Sequence, residues 1–259
     1  MVRKLGLVLV LAGLVGAACT KSTNPTAGSS VAQSPAAGGS PTVTAPTGAA
    51  PSPTAIDPAN FVDRVDNPWF PLTPGTTLTY KGTKDDRAAV DVFAITGETR
   101  MVAGVKCVVV KDTLTLDGKL HEKTEDWYVQ DRQGNVWYFG EATQEYNDSG
   151  KVVSTSGSWE SGVDGAQPGI FMPADPQAGQ SFQQEFYSGQ AEDHFVVLHM
   201  LGSVKVPYGS FQNALVTAEW TPLEPDVLSE KFYVKGIGQV KELDVAGGNE
   251  ATALASITK

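Results

Sequence analysis

The sequence predicts an all-β fold: an antiparallel meander forming a strongly curved sheet or (half-)barrel, preceded by a signal peptide and a disordered linker. Three observations predict it. Apolar residues alternate with a period of two through most of the chain after Asp57. The alternating runs have strand length and are bounded by Gly, Pro, Asn or Asp. No window of a dozen residues carries a helical stripe. About 200 residues follow the linker, which suits one domain able to bury its own core. The division is therefore 1–18 signal peptide, 19–56 tether and 57–259 a single β domain.

Residues 1–18 have the layout of a secretory signal. Arg3 and Lys4 form the positive end, Leu5 to Val15 the apolar stretch, and Gly16-Ala17-Ala18 a small-residue run ending at Cys19. As a helix the apolar stretch rises about 17 Å, short of the roughly 30 Å hydrocarbon core, so it does not suit a spanning segment. A cysteine directly after the small residues resembles the bacterial lipoprotein signal, in which the thiol is acylated and becomes the new N-terminus. The resemblance implies lipid attachment at Cys19, palmitate among the acyl groups, and a place on the extracytoplasmic side of the cell membrane. Two acyl chains or more anchor stably, whereas one holds marginally. The alternative is a plain cleaved signal with Cys19 incidental.

From Thr20 to Ile56 the chain is nearly all Ser, Thr, Pro, Ala and Gly, with Lys21 as its one charge and no aromatic residue. Such a stretch buries too little apolar surface to offset its ordering entropy, so it is expected to be disordered. As a flexible coil it reaches roughly 35 Å. Its functional reading is a tether that carries the domain away from the membrane, with Ser/Thr-Pro positions open to glycosylation.

The domain begins with a short turn of helix at Pro58 to Val62, capped by Asp57 with Pro58 in the first helical position. Alternating runs follow around Leu78 and Tyr80, at 90–95 and at 108–116, where Asp112 interrupts the apolar parity. Others lie at 182–186 and 196–200. Asp117-Gly118 has the type I′ hairpin signature and predicts pairing of Leu114 with His121, Asp112 with Lys123 and Val110 with Glu125. Asp131 and Gly134 suit the first and fourth places of a type I turn, folding Trp127–Gln130 back onto Val136–Gly140. Asp148-Ser149-Gly150 and Tyr208-Gly209-Ser210 read as further turns. Cys107 lies in a β-branched run and reads as a small buried hydrophobe. The segment 157–179 breaks the rhythm. It is rich in Gly, Pro and Asp yet carries Trp159, Ile170, Phe171 and Met172, and reads as a packed loop across one end or face of the sheet.

The blocks NPWFPLTPGTTLTY at 67–80, TEDWYVQDRQGNVWYFGE at 124–141, GSWESGVDGAQPGIFMP at 157–173 and KFYVKGIGQVKEL at 231–243 resemble a family of secreted or lipid-anchored bacterial proteins without assigned activity. The resemblance spans nearly the whole domain and implies a shared fold, with no catalytic residue to carry over. In architecture alone, the tether and long meander are similar to the half-barrel carriers of lipoproteins and lipids in bacterial envelopes.

Three basic residues and no acids precede Asp57, so the formal charge of −10 becomes −13 for the domain. A field of that sign argues against nucleic acid as a partner. No catalytic constellation is legible. His194 and His199 are five apart in one run and so on opposite faces, no G-x-S-x-G elbow is present, and Cys107 lies mid-strand. Accordingly no catalytic, metal or cofactor site is assigned, and an enzyme is the weakest of three readings. Aromatic placement carries the other two. Trp127, Tyr128, Trp137, Tyr138 and Phe139 crowd one hairpin, and alternation puts rings on both of its faces. With Trp159 and Phe171 they are the candidate ligand-binding residues. In the first reading the concave face takes an apolar or amphipathic envelope ligand, such as a lipid, under the 157–179 loop. In the second, exposed rings recognise a protein or a cell-wall glycan.

Overall fold

The computed structural model describes residues 56–259. The signal peptide, Cys19 and the tether up to residue 55 lie outside the described residues. A 3-10 turn, η1 (Pro58–Asn60), opens the domain; the Asp57 side chain accepts from Ala59 N at 3.0 Å and Pro58 sits in the first position, as read. The turn stops at Asn60, however, and Phe61 and Val62, read as its continuation, are extended and pair with Asp131 and Gln130. Sixteen strands follow. They are β1 (Phe61–Val62), β2 (Thr77–Lys84), β3 (Arg87–Val102), β4 (Val105–Leu116), β5 (Lys119–Asp131), β6 (Val136–Tyr146), β7 (Val152–Ser154) and β8 (Trp159–Glu160). Then come β9 (Gln167–Met172), β10 (Ser181–Gln183), β11 (Glu185–Phe186), β12 (His194–Val206), β13 (Gly209–Trp220), β14 (Leu228–Val234), β15 (Gly238–Ala246) and β16 (Ala251–Thr258).

Every pairing is antiparallel, in the order β10-β12-β13-β14-β15-β16-β2-β3-β4-β5-β6-β9-β11. Neighbours along the chain are mostly neighbours in the sheet, as a meander requires. Beside the short skips β6–β9, β9–β11 and β10–β12, the long-range exception is β16, which returns to β2 and joins the two halves, Thr258 opposite Thr77 and Ala251 opposite Thr83. The two ends of the order are consecutive in sequence. β10 pairs with β12, Gln184 turns the corner, and β11 pairs with β9. One short segment therefore stitches both edges together and closes the barrel. β9 crosses it closely: a Cβ on Gly169 would overlap the Gln183 carbonyl and the Gln184 backbone, so only glycine fits there.

The reading of 157–179 as an irregular loop is corrected. β8 and β9 are strands hydrogen-bonded to β6, and Trp159 and Phe171 point into the interior. The Gly-Pro-Asp content marks the tight turns between them. The β4–β5 register is corrected as well. Near the turn, Leu116 pairs with Lys119 and Thr115 with Leu120, as a type I′ turn with Asp117 and Gly118 at positive φ demands. Beyond it His121 is an extra residue, so Leu114 faces Glu122, Asp112 faces Thr124 and Val110 faces Asp126.

Two large clusters of apolar side chains hold the domain, and Ala89, Leu114 and Leu116 form a third, small one. The larger fills the barrel with residues of nearly every strand, among them Phe93, Val110, Tyr128, Phe171, Leu215 and Leu254. The smaller lies outside β4, β5 and β6, where Cys107, Val109, Trp127 and Phe139 are covered by Ile56, Phe61 and the tip of the β3–β4 hairpin. Cys107 is free and wholly buried, and burial pushes its thiol pKa up to about 12, so it stays a hydrophobe. Between β1 and β2 the chain crosses one end of the barrel as a plug that contributes Val65, Trp69, Phe70 and Leu72 to the interior. Asn67 pins it, donating from Nδ2 to the Gly134 and Pro173 carbonyls and accepting at Oδ1 from Trp69 N.

Candidate functional site

The aromatic hairpin divides as alternation requires. Tyr128 and Tyr138 face inward and stack at 4.9 Å, with Phe171 and Trp159 packed edge-on against them. Trp127 and Phe139 face outward and Trp137 packs against them, with Phe61 meeting Phe139 at 5.3 Å and the Arg100 guanidinium 4.1 Å above Trp127. A bulge at Phe139 sets this division, since Trp127 pairs with Gly140 and Tyr128 with Tyr138. Six of the seven candidate rings are buried and Trp137 is half-buried. The structure thus brings Tyr128, Tyr138, Trp159 and Phe171 together inside and the other three together outside.

A narrow cleft of about 10 Å³ lies where the plug meets the barrel rim, with room for one water. Its apolar walls come from Phe70 and Leu72 of the plug, Leu78 of β2, Phe93 and Ile95 of β3, and Ile237 of the β14–β15 turn. Its polar groups are Tyr80, Asp91 and Gln239. The Tyr80 hydroxyl donates to the Gln239 carbonyl at 2.9 Å, and Gln239 Nε2 donates to Glu242 at 3.1 Å. Gln239 Oε1, in a residue 8 % exposed, accepts from nothing. None of these residues was a candidate on sequence. Leu78, Tyr80 and Phe93 were legible as alternating strand positions, but their meeting with a distant turn and a non-strand plug was not.

From the cleft, which Asp91 also lines, a band of carboxyl groups runs around the inner wall. It passes from Asp91 (β3) to Asp112 (β4), Asp126 (β5) and Glu141 (β6). Across the seam it continues through Glu185 (β11), Asp193 just before β12, Glu219 (β13) and Glu242 (β15). Lys231 (β14) is the cation among them. All nine are buried. Lys231 Nζ lies 2.6 Å from Glu219 and 3.9 Å from Glu242. Burial alone would lower its pKa, but Glu219 and Glu242 outweigh burial and raise it. The other side of the band has no cation. There the Tyr138 hydroxyl lies 2.7 Å from Asp126 Oδ1 and 2.8 Å from Glu141 Oε2. Burial, then the Glu141 charge, push the Asp126 pKa up to about 7. Burial raises Asp112 well above the carboxylate range, with Asp91 beside it in hydrogen-bonding contact. Among the described residues no group of three or more His, Cys, Asp or Glu is arranged to hold a metal ion. Of the band, only Asp112 stood out in the sequence, as a break in an apolar parity.

The histidines lie apart from this wall. His194 stacks on Trp220 at 5.6 Å, half-buried, and burial lowers its pKa; His199 is exposed.

No protein-family model matches the chain, and no curated protein matches it. Among solved structures it is similar to a protein predicted to be exported, with a YmcC-like fold, from Bacteroides fragilis. That likeness has 14 % identity and a TM-score of 0.43, covering 74 % of this chain and 99 % of the other. It is also similar to a predicted lipoprotein from Parabacteroides distasonis, with 12 % identity and a TM-score of 0.38, covering 73 % and 98 %. Likeness at this level assigns neither a family nor an activity.

Proposed function

We propose that the protein is an extracytoplasmic lipoprotein, held at the membrane by acyl chains on Cys19, whose β domain binds an apolar or amphipathic envelope molecule at the plug cleft without chemistry. The layout of residues 1–19 supports the anchor. One observation carries the binding reading: a cleft with apolar walls meets a buried acceptor, Gln239 Oε1, that has no donor. Ligand pockets combine those two features, an apolar wall and a few placed polar groups. The preferred ligand has a hydrocarbon body and a hydroxyl or ammonium donor at its polar end. Asp91 in the wall and the charge of −13 on the domain disfavour an anionic head.

At about 10 Å³ the cleft is closed, since ligand sites occupy some hundreds of Å³. The plug supplies the missing space by moving. It is a loop across the rim, held by side-chain bonds of Asn67 and by backbone bonds such as Gly236 N to the Pro68 carbonyl at 2.7 Å, not by a strand ladder. Exposing Phe70 and Leu72 costs roughly 2 kcal/mol each, which a hydrocarbon chain in their place returns.

Native mass spectrometry of the full chain, extracted from its own membranes in mild detergent, tests this reading. An adduct of lipid mass is expected on the wild type and should be lost in Ile237→Trp, where the indole fills the cleft. A wild type without adduct, or a variant that keeps it, rejects the proposal.

A further inference from the structure

The carboxyl band has too few protons for its own geometry, if every acid is ionised. Tyr138 has one hydroxyl proton, yet its oxygen makes two contacts of hydrogen-bond length to carboxyl oxygens. The second contact needs a proton on Asp126 or Glu141. Asp91 and Asp112 meet as a carboxyl pair and need one more. The Tyr128 hydroxyl, wholly buried among Asp126, Glu141 and Asp112, has no hydrogen-bond partner among the described residues. This half of the band is therefore a place where protons are held, while the Glu219–Lys231–Glu242 half is an ion cluster.

The band crosses the barrel closure at its weakest pairing. β11 meets β9 at Glu185↔Pro168 and Phe186↔Gln167, and Pro168 has no N–H to give. On the inner side of this seam lie Glu185, which accepts from Trp159 Nε1 at 2.6 Å, and Asp193, whose carbonyl accepts from Gln184 N at 2.8 Å. The Gln184 side chain, 1 % exposed, has neither its oxygen nor its nitrogen bonded.

We propose that the inner carboxyl band is a proton-operated latch on the seam: shared protons keep Ser181–Asp193 closed, and their loss as pH rises towards neutrality frees that segment while the rest of the barrel stays paired. The groups facing each titrating acid fix the direction. Asp126 is faced by Glu141 and Tyr138 from β6, by Asp112 from β4 and by Glu122 on its own strand. Asp193 is faced by Lys231 from β14, Glu219 and Thr221 from β13 and its end, and Glu141 from β6. Around both, acids outnumber Lys231, so each proton lost adds repulsion across the seam. Burial first, and for Asp193 then Lys231 pulling down against Glu219 pushing up, place both acids at about 7. The device needs no ligand, although Asp91 belongs both to the band and to the wall of the plug cleft.

Hydrogen exchange of the full chain between pH 5 and 8, corrected for intrinsic rates, tests it. Protection of 181–193 should fall by up to about tenfold per pH unit for each proton released as pH rises to about 7 and then level off, staying below the protection of the β3–β4 hairpin throughout. In the double variant Asp126→Asn/Asp193→Asn, which leaves neutral side chains of the same shape, the fall should flatten. A seam whose protection is constant with pH overturns the proposal, as does a variant with the full wild-type slope. If the variant does not fold, the wild type still decides: equal protection of seam and hairpin at every pH means that both open only by global unfolding and overturns the latch.

Discussion

Replacing Lys231 with Met separates the two halves of the inner band most cleanly. Methionine keeps an unbranched apolar stem and removes only the charge. Lys231 is 1 % exposed and lies 2.6 Å from Glu219, so its loss leaves Glu219 and Glu242 buried without their cation. Removing one partner of a buried ion pair costs about 3–5 kcal/mol. For a domain of this size that lowers Tm by roughly 2–4 °C per kcal/mol, or about 10 °C in all. The raised Lys231 pKa sets the sign: its contribution is complete at pH 8, well below the unfolded value, and is lost only as pH rises through the folded one. The triple variant Lys231→Met/Glu219→Gln/Glu242→Gln removes all three charges and should recover most of the loss. Urea unfolding followed by tryptophan fluorescence at pH 8 measures each difference. A single variant within 1 kcal/mol of wild type at pH 8, or a triple variant weaker than the single, would refute the assignment of this cluster as an ion pair held by mutual charge.

Further outcomes follow from the same geometry. Folded Asp126 and Asp193 hold their protons up to about 7, whereas the unfolded chain releases them near 4, so the folded state binds more protons in between. Stability should therefore fall as pH rises from about 4 to about 7, by roughly 1.4 kcal/mol per unit for each proton fully different between states. Urea midpoints at unit pH steps check this, and a midpoint that climbs over that range contradicts it. Gly169→Ala should cost on the order of 2 kcal/mol and raise exchange first at 181–186, because its methyl group overlaps the seam backbone. Cys19→Ser should move the protein from the membrane to the soluble fraction. Retention of the serine variant in the membrane would mean that the anchor was misread.

Much of the fold was legible because its signals are local. Alternation at 108–116, Asp117-Gly118 in the left-handed region and the Asp131–Gly134 turn each act within a few residues, and the strands around them form where they were read, whereas the run at 182–186 breaks at Gln184 into β10 and β11. Residue 157–179 misled because its Gly and Pro content describes turns, while the strands between them are short and depend on β6 for partners. The cleft and the carboxyl band left almost no trace, since each member of the band is one acid in its own strand.

Extended conformation, hairpin order and the presence of rings on both faces of one hairpin are properties of neighbouring residues, and the amino-acid order alone determined them. Which side chains face inward was decided by pairing. One extra residue at His121 turns Asp126 inward where the turn by itself would have sent Glu125, and another at Phe139 does the same for Glu141. Closure was decided at longer range still, by β16 against β2 and by one short segment shared between β12 and β9. A strand period of two makes local geometry readable but leaves the choice of face to a single inserted residue, and only the assembled sheet reveals where that residue lies.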